Sequence, residues 1–202
     1  MARSSRYHVR PRRRREGKTD YKARMALVLS GKPRLVVRGT LKNVTAQIVV
    51  ARLRGDEVLA AAHSRELARE YGWLAPRGNV PAAYLTGLLC GLKARAKGVE
   101  EAILDVGLRS PSKGSRIFAV LNGILDAGID VPYDEEKMDK DRIKGVHIAK
   151  YAENLGSGSE DYRSRFSRYL EHELVPENLV DHFVKVKADV VAAFESGGEK
   201  SV

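Results

Sequence analysis

Residues Arg10 to Arg15 read R-P-R-R-R-R and form the densest group of side chains in the chain with an obvious chemistry. Guanidinium groups neutralise phosphates, release their counterions and form paired hydrogen bonds to phosphate oxygens. Lys18 extends this basic run, and Tyr21, a ring on which a base can stack, and Arg24 follow it. The pattern predicts a nucleic-acid-binding arm whose contacts are Arg10, Arg12, Arg13, Arg14, Arg15 and Lys18.

The net charge of the chain is concentrated in the same region. Residues 1–42 contain 14 Lys and Arg against 2 Asp and Glu, whereas residues 43–202 contain 22 against 24. The formal charge of +10 therefore comes from the first fifth of the chain. Such a block repels itself and favours a polyanionic partner. A solvated basic tail and a localisation signal stay open as alternatives.

A second possible anion site is the segment Lys113-Gly-Ser-Arg116, which follows a predicted strand and begins a predicted helix. Backbone amides, the helix dipole and the cations Lys113 and Arg116 can together hold an RNA phosphate. The segment lacks the second glycine and the Lys-Ser/Thr order of a P-loop. Ordinary helix capping is therefore the alternative.

The remaining reactive side chains do not predict catalysis, a metal or a cofactor. Asp56, Asp105 and Asp126 would have to converge to form a two-metal nuclease site, and Asp56 and Asp126 are better explained as turn and surface residues. The five histidines lack zinc-site spacing. The single cysteine, Cys90, lies in an apolar helix and is expected to be a buried, inert thiol.

Periodicity and capping residues predict the elements that position these groups. Asp20 should cap a helix over residues 21–30, and Asn79 a long helix that ends before Gly98. Gly87 and Gly91, four residues apart, indicate that this long helix approaches a neighbour closely. The predicted strands are 34–39, 45–53, 58–63 and 102–106, and the other predicted helices are 64–71, 116–127, 141–151, 160–174 and 177–194.

This order of elements predicts an α/β fold, a mixed sheet with packed helices. We expect three regions: a basic arm over residues 1–20, an α/β core over 21–131, and an acidic loop with an α-helical C-terminal extension over 132–202. The longest apolar run, Pro81 to Leu92, is too short to span a membrane, and the N-terminus lacks the apolar segment of a secretory signal.

Blocks of sequence in a fixed order resemble one known family. The resemblance is to large-subunit ribosomal protein family eighteen, the 5S rRNA binder, in its archaeal and eukaryotic branch. It covers nearly the whole chain from about residue 17. The blocks are GKTDY from Gly17, GKPRLVVR from Gly31, AQI from Ala46, YGW from Tyr71, NVPAAYLTGLL from Asn79, AILDVGL from Ala102, GSR from Gly114, DAG from Asp126, RIKGVHI from Arg142 and PENL from Pro176.

The resemblance implies a ribonuclease-H-like topology without the catalytic carboxylates. It implies a structural protein that binds 5S rRNA and attaches it to the large-subunit rRNA at the central protuberance of a cytoplasmic ribosome, beside neighbouring ribosomal proteins. The arm would thread between RNA helices, with Tyr21 and Arg24 at its base. The contacts implied on the first two strands are Arg34, Arg38, Asn43 and Gln47. In place of the Ser/Thr-Asn pair that commonly follows Arg38 in the family, this chain has Thr40-Leu41, with an asparagine only at Asn43.

Two other functions stay open from the sequence. One is a nuclease on a ribonuclease-H-like fold, which requires magnesium and a carboxylate cluster. The other is a nonspecific basic nucleic-acid chaperone, which would bind DNA and RNA alike.

Overall fold

A computed structural model of the chain describes residues 8–195. Residues 1–7 of the expected arm and 196–202 of the expected extension lie outside this range. The expected α/β architecture is confirmed: a four-stranded mixed sheet, in the order β3-β2-β1-β4, carries packed helices. The strands are β1 (Arg34–Gly39), β2 (Val44–Arg52), β3 (Gly55–His63) and β4 (Ile103–Asp105).

The first three strands are antiparallel, whereas β4 runs parallel to β1. Leu35 and Val37 of β1 point into the core, while Arg34 and Arg38 alternate to the opposite face. On that opposite face, called the open face below, Val36 of β1 lies beside Gln47 of β2 and Asp105 of β4. The alternation of β1 therefore directs its two arginines away from the core.

The helices are packed mainly on the core face of the sheet. In chain order they are α1 (Arg12–Arg15), α2 (Tyr21–Leu29), α3 (Ser64–Glu70), α4 (Val80–Arg95), α5 (Arg116–Asp126), α6 (Lys140–Lys144), α7 (Val146–Leu155), α8 (Glu160–Arg165), α9 (Ser167–Glu171) and α10 (Leu179–Glu195). Two short 3-10 helices, Glu135–Lys137 and Pro176–Asn178, precede α6 and α10.

Helix α4 is the centre of the core. The side chain of Asn79 caps it by accepting the N–H of Ala82 at 2.8 Å, as expected. Every residue of α4 from Val80 to Gly91 is buried, because the sheet lies on one side and α5 and α10 lie on the other sides. Gly87 packs against the backbone of Val120 in α5, which confirms the predicted close approach.

Two helices predicted as continuous are each broken in two. The predicted helix 141–151 is wrong because Gly145 takes a left-handed conformation, with φ of +85°, between α6 and α7. The predicted helix 160–174 is wrong because it breaks at Phe166, whose ring packs against Tyr162, Tyr169 and Tyr151. The break therefore lies within an aromatic cluster, whose ring contacts stabilise the packing of these short segments.

The C-terminal helix docks on the core. Phe183 of α10 packs on Tyr84 of α4, with ring centroids 5.4 Å apart. Asp126 accepts hydrogen bonds from the Tyr84 hydroxyl and from Lys187 Nζ, the latter at 3.1 Å. Its interpretation as a plain surface residue was therefore incomplete. Between residues 8 and 195, no helix is long and apolar enough to cross a membrane.

Candidate nucleic-acid interface

A cleft of about 1050 Å³ lies over the open face of the sheet, beneath α2 and the end of the arm. It brings together side chains from four parts of the chain that the sequence predicted to contact RNA. The predicted residues that line it are Arg13, Lys18, Tyr21, Arg24, Arg34, Arg38 and Gln47. The floor between them is formed by small apolar side chains, including Val36 and Val58. The cleft therefore combines cations, an amide and an aromatic ring around an apolar floor.

Asp105 fixes the position of both arginines of β1. Its Oδ2 accepts a hydrogen bond from Arg34 at 3.0 Å, and its Oδ1 accepts one from Arg38 at 3.1 Å. Arg38 also donates to the backbone oxygens of Val37 and Asp105. The side chain of Arg38 nevertheless stays 48% exposed. Because the half-exposed side chain of Arg38 is held by these three hydrogen bonds, its guanidinium is pre-organised for an external anion.

We expected Arg34 to face outward, but the structure buries it. It is only 2% exposed, and its guanidinium spans Asp105 on β4 and Asp56 on β3, the second at 2.8 Å. These contacts of Arg34 connect β1, β3 and β4. Because its guanidinium is buried, it is not available to RNA in this structure. We therefore assign it a positioning task beneath the interface.

Asp56 joins α2 to the sheet. Arg24 donates two hydrogen bonds to its carboxylate, at 2.7 and 2.9 Å. The bonds from Arg24, with those from Arg34, hold the pKa of the Asp56 carboxyl below its ordinary value, although partial burial acts in the opposite direction. The interpretation of Asp56 as only a turn residue was thus incomplete, because it fixes α2 across the open face.

The three aspartates considered for catalysis do not form a carboxylate cluster. Asp56 and Asp105 do converge, but on Arg34, and both are neutralised by arginines. Asp126 instead binds Tyr84 and Lys187 on the core side. Over residues 8–195 there is no group of three His, Cys, Asp or Glu side chains able to hold a metal ion. Burial raises the pKa of Cys90 to about 12.

The arm is exposed along its described length, and part of it is ordered. Pro11 precedes α1, a single turn over Arg12–Arg15, whereas the sequence showed no period there. Arg13 donates to the Thr19 hydroxyl at 2.8 Å, and Glu16 pairs with Arg12 and Lys18. Arg10, Arg12, Arg14 and Arg15 stay outside the cleft, exposed to solvent.

The three other predicted contacts are placed away from this cleft. Asn43 closes the turn after β1, where its backbone N–H binds the Thr40 hydroxyl at 3.0 Å and its side-chain oxygen is buried. Arg116 begins α5 and donates to the backbone oxygens of Thr40 and Gly78, at 2.7 and 3.1 Å. Lys113 is exposed in the preceding loop.

Sequence reasoning missed two arginines, Arg109 and Arg142, that join Arg116 around a second cavity beyond the end of β1. Arg109 donates to the carbonyl of Gly39. A signal for it was present, because Arg109 follows β4, and parallel strands deliver their C-terminal loops to the same edge as the end of β1. Arg142 carried no such signal, since the position of α6 depends on tertiary packing.

Two comparisons match this chain to known proteins over most or all of its length. Residues 5–100 and 93–134 match a family described as ribosomal large subunit proteins 60S L5 and 50S L18. The large ribosomal subunit protein uL18 of Caldivirga maquilingensis is 50% identical over 203 residues, covering all of this chain and 98% of that protein.

Proposed function

This chain belongs to the family of ribosomal large-subunit proteins 60S L5 and 50S L18, and on that premise we propose that it binds 5S rRNA. It is a structural constituent of the large ribosomal subunit, located in the cytoplasmic ribosome, and it is not an enzyme. The finer proposal is that it attaches 5S rRNA to the large-subunit rRNA at the central protuberance, beside neighbouring ribosomal proteins.

The observation that carries the proposal is the composition of the cleft over the open face. Arg38 presents a fixed guanidinium on a half-exposed side chain, Gln47 an amide, and Tyr21 a ring, all around one cavity. Guanidinium groups bind phosphates, amides read base edges, and rings stack on unpaired bases. A ribosomal RNA with loops and bulges offers all three partners at once.

The arm supplies the second part of the proposed interface. Arg10, Arg12, Arg14 and Arg15 are exposed beside the cleft, and α1 sets the last three around one helical turn. We assign to them the threading of the arm between RNA helices, where counterion release adds affinity with little dependence on sequence. The sheet then selects the RNA, and the arm holds it.

The test is a comparison of 5S rRNA with an unrelated structured RNA of equal length, across a series of salt concentrations. If about six to ten phosphates are engaged, the affinity for 5S rRNA should fall by about 10³–10⁵ between roughly 50 and 200 mM salt. Equal affinity for the two RNAs would instead support a nonspecific chaperone and contradict the proposal.

Arg38→Gln gives the residue-level version of this test. Loss of one fixed phosphate contact should weaken 5S rRNA binding about tenfold and lower the salt slope by about 1. The matched control is Arg69→Gln, which removes an exposed arginine of α3, away from the cleft. If both variants bind alike, the open face is not the RNA site.

A further inference from the structure

The second cavity, of about 500 Å³, lies between the end of β1, the loop before α5 and the junction of α6 with α7. Arg109, Arg116 and Arg142 reach it from these different segments. Across residues 8–195 none of the three guanidinium groups has a carboxylate within ion-pair distance. Three positive charges therefore converge, and none of them is paired with a carboxylate of the described chain.

The cations are held in place by neutral groups. Arg116 is bonded to the carbonyls of Thr40 and Gly78, and Arg109 to that of Gly39. The aliphatic part of Arg142 lies on Gly114, whose φ is +66°. Carbonyl oxygens orient a guanidinium but do not neutralise it, so the charge stays available to a ligand.

Uncharged donors complete the lining. The Ser115 hydroxyl oxygen is buried, does not cap α5 and has no hydrogen-bond partner within the described chain. His147 also lines the cavity, and burial together with the neighbouring Arg142 lowers its pKa, which favours a neutral imidazole. A nearby carboxylate, Asp139, caps α6 by accepting the backbone N–H of Arg142 at 3.0 Å. Hydroxyl, imidazole and guanidinium donors are a set that suits a phosphate oxygen.

We propose that this cavity holds a backbone phosphate of ribosomal RNA, as a second anchoring point beyond the sheet. This inference rests on the proposed RNA-binding function and extends it to a site formed by Arg109, Arg116, Arg142 and Ser115.

Continuity with the first cleft identifies RNA as the occupant. Arg38 lies against Gly107, and Arg109, two residues further on, binds the carbonyl of Gly39, the residue that follows Arg38. The two arginines are thus neighbours at the edge shared by both cavities. An RNA strand that leaves the open face past Arg38 meets Arg109 next, so its backbone can continue into the second cavity.

The test uses the full-length chain with the double substitution Arg109→Gln/Arg142→Gln, measured separately against 5S rRNA and against the large-subunit rRNA. We expect affinity for one of the two RNAs to fall about tenfold near 150 mM salt, with a salt slope lower by about 1. The control is Arg163→Gln/Arg168→Gln, which removes two exposed arginines of α8 and α9 and leaves binding within about twofold. The RNA that loses affinity identifies the source of the phosphate.

A second measurement does not depend on removing the arginines. Because the only native cysteine, Cys90, is buried, Ser110→Cys, at an exposed residue of the cavity lining, can be labelled alone with a tethered iron–EDTA probe. In reconstituted large subunits we expect RNA cleavage around this probe and much less around a probe at Ser167→Cys on α9.

The outcomes separate the two proposals. If 5S rRNA is preferred over unrelated RNA but both double variants bind alike and the Ser110→Cys probe cuts no RNA, the cavity is not an RNA site. Loss of a neighbouring protein from the subunit, with unchanged affinity for both RNAs, would show a protein carboxylate as the occupant and overturn the inference. No preference for 5S rRNA contradicts the proposed function itself, whatever the cavity binds.

Discussion

Arg34 and Arg38 are four residues apart on the same face of β1, and Asp105 contacts both while their exposure differs. Arg34 lies beneath the interface, 2% exposed, where it joins Asp105 to Asp56. Arg38 sits at the rim, where the same carboxylate accepts a hydrogen bond from its guanidinium while the side chain stays 48% exposed. Asp105 thereby sets the direction of the Arg38 guanidinium, which we propose binds RNA.

The first prediction concerns Arg34. Arg34→Ala removes one partner of a buried ion pair, so the free energy of unfolding should fall by about 3 kcal/mol, near the lower end for such pairs. The lower end applies because Asp105 keeps Arg38 and the N–H of Gly107, while Asp56 keeps Arg24. Urea unfolding followed by circular dichroism measures the change.

The control for this prediction is Arg52→Ala on the neighbouring strand. Arg52 pairs with Glu57, and both side chains are more than half exposed, so its removal should cost less than about 1 kcal/mol. Equal losses for the two variants would show that Arg34 does not stabilise the fold through its buried pairs.

The second prediction is a pH dependence that involves His182. Its Nε2 accepts a hydrogen bond from the backbone N–H of Leu74, with 3.1 Å between the nitrogens. Its ring stacks on that of Trp73, with the ring centroids 5.1 Å apart. Burial, with a smaller effect of Lys185, lowers the pKa of His182 below its ordinary value. Below about pH 6.5 the unfolded chain therefore binds a proton that the folded chain excludes, so stability declines as the pH falls.

Urea midpoints measured between pH 8 and pH 5 check this direction. The pKa values of His63 and His147 are also lowered, with burial as the main cause, and add to the same trend. His182→Phe keeps a ring against Trp73 but cannot be protonated, so its stability should vary less over this range. An unchanged pH profile in that variant would exclude His182 as a contributor.

Single residues show why the sequence predicted only part of the interface. The arginines of the arm and of β1 could be identified from charge and from family blocks. The burial of Arg34 could not, because it requires Asp56 and Asp105, which lie 22 and 71 positions away, to meet on the open face. Arg142 was missed for the same reason, since its position depends on how α6 packs.

At the scale of elements, the crossing of α4 and α5 determines where the sheet and its interface lie. The two helices meet through glycines: a side chain on Gly87 would overlap the backbone of Val120, and one on Gly123 would overlap the backbone of Tyr84. The absence of side chains lets the helix axes approach closely. Because α5 begins at the second cavity, this approach also positions Arg116.

The third prediction tests this crossing. Gly87→Ala should destabilise the protein by about 3 kcal/mol, because the backbone of α5 cannot move aside without disturbing the core. Its control, Gly158→Ala, lies in a turn with open space around it and should change stability by less than about 0.5 kcal/mol. Thermal melts of both variants measure the difference, and a stable Gly87→Ala protein would contradict the close crossing.

The helices and strands with strong local sequence signals are the ones that were predicted correctly. Strand alternation, the Asn79 cap and the Gly87–Gly91 spacing are local, and they correctly predicted β1, α4 and its packing. The breaks at Gly145 and Phe166 are not local, because they serve to bury side chains against distant elements. Gly145, for example, packs beside Leu179 and Pro81.

At the scale of the whole molecule, the positive charge is concentrated in residues 1–42, which contain the arm, α2 and β1. Residues 43–202 carry 22 Lys and Arg against 24 Asp and Glu, so long-range attraction to RNA comes from residues 1–42. On the folded domain, the cations that we propose bind RNA are local arrangements, Arg38 in the first cleft and the three arginines of the second cavity. We thereby assign long-range attraction of RNA to the basic residues 1–42 as a whole, and selection of RNA to the side chains of the two cavities.

The last prediction tests whether RNA affinity follows the arm or merely the total charge. Replacing Arg12, Arg13, Arg14 and Arg15 with glutamine removes four cations next to the cleft, and the salt slope for 5S rRNA should fall by about 3, at roughly 0.7–0.9 per lost phosphate contact. The matched control replaces Lys150, Arg163, Arg168 and Lys185, all exposed on the C-terminal helices, with glutamine. Both variants have a formal charge of +6 instead of +10, so a difference in slope can come only from where the charges lie. Equal slopes would mean that the arm acts only through net charge, which would remove its proposed place between RNA helices.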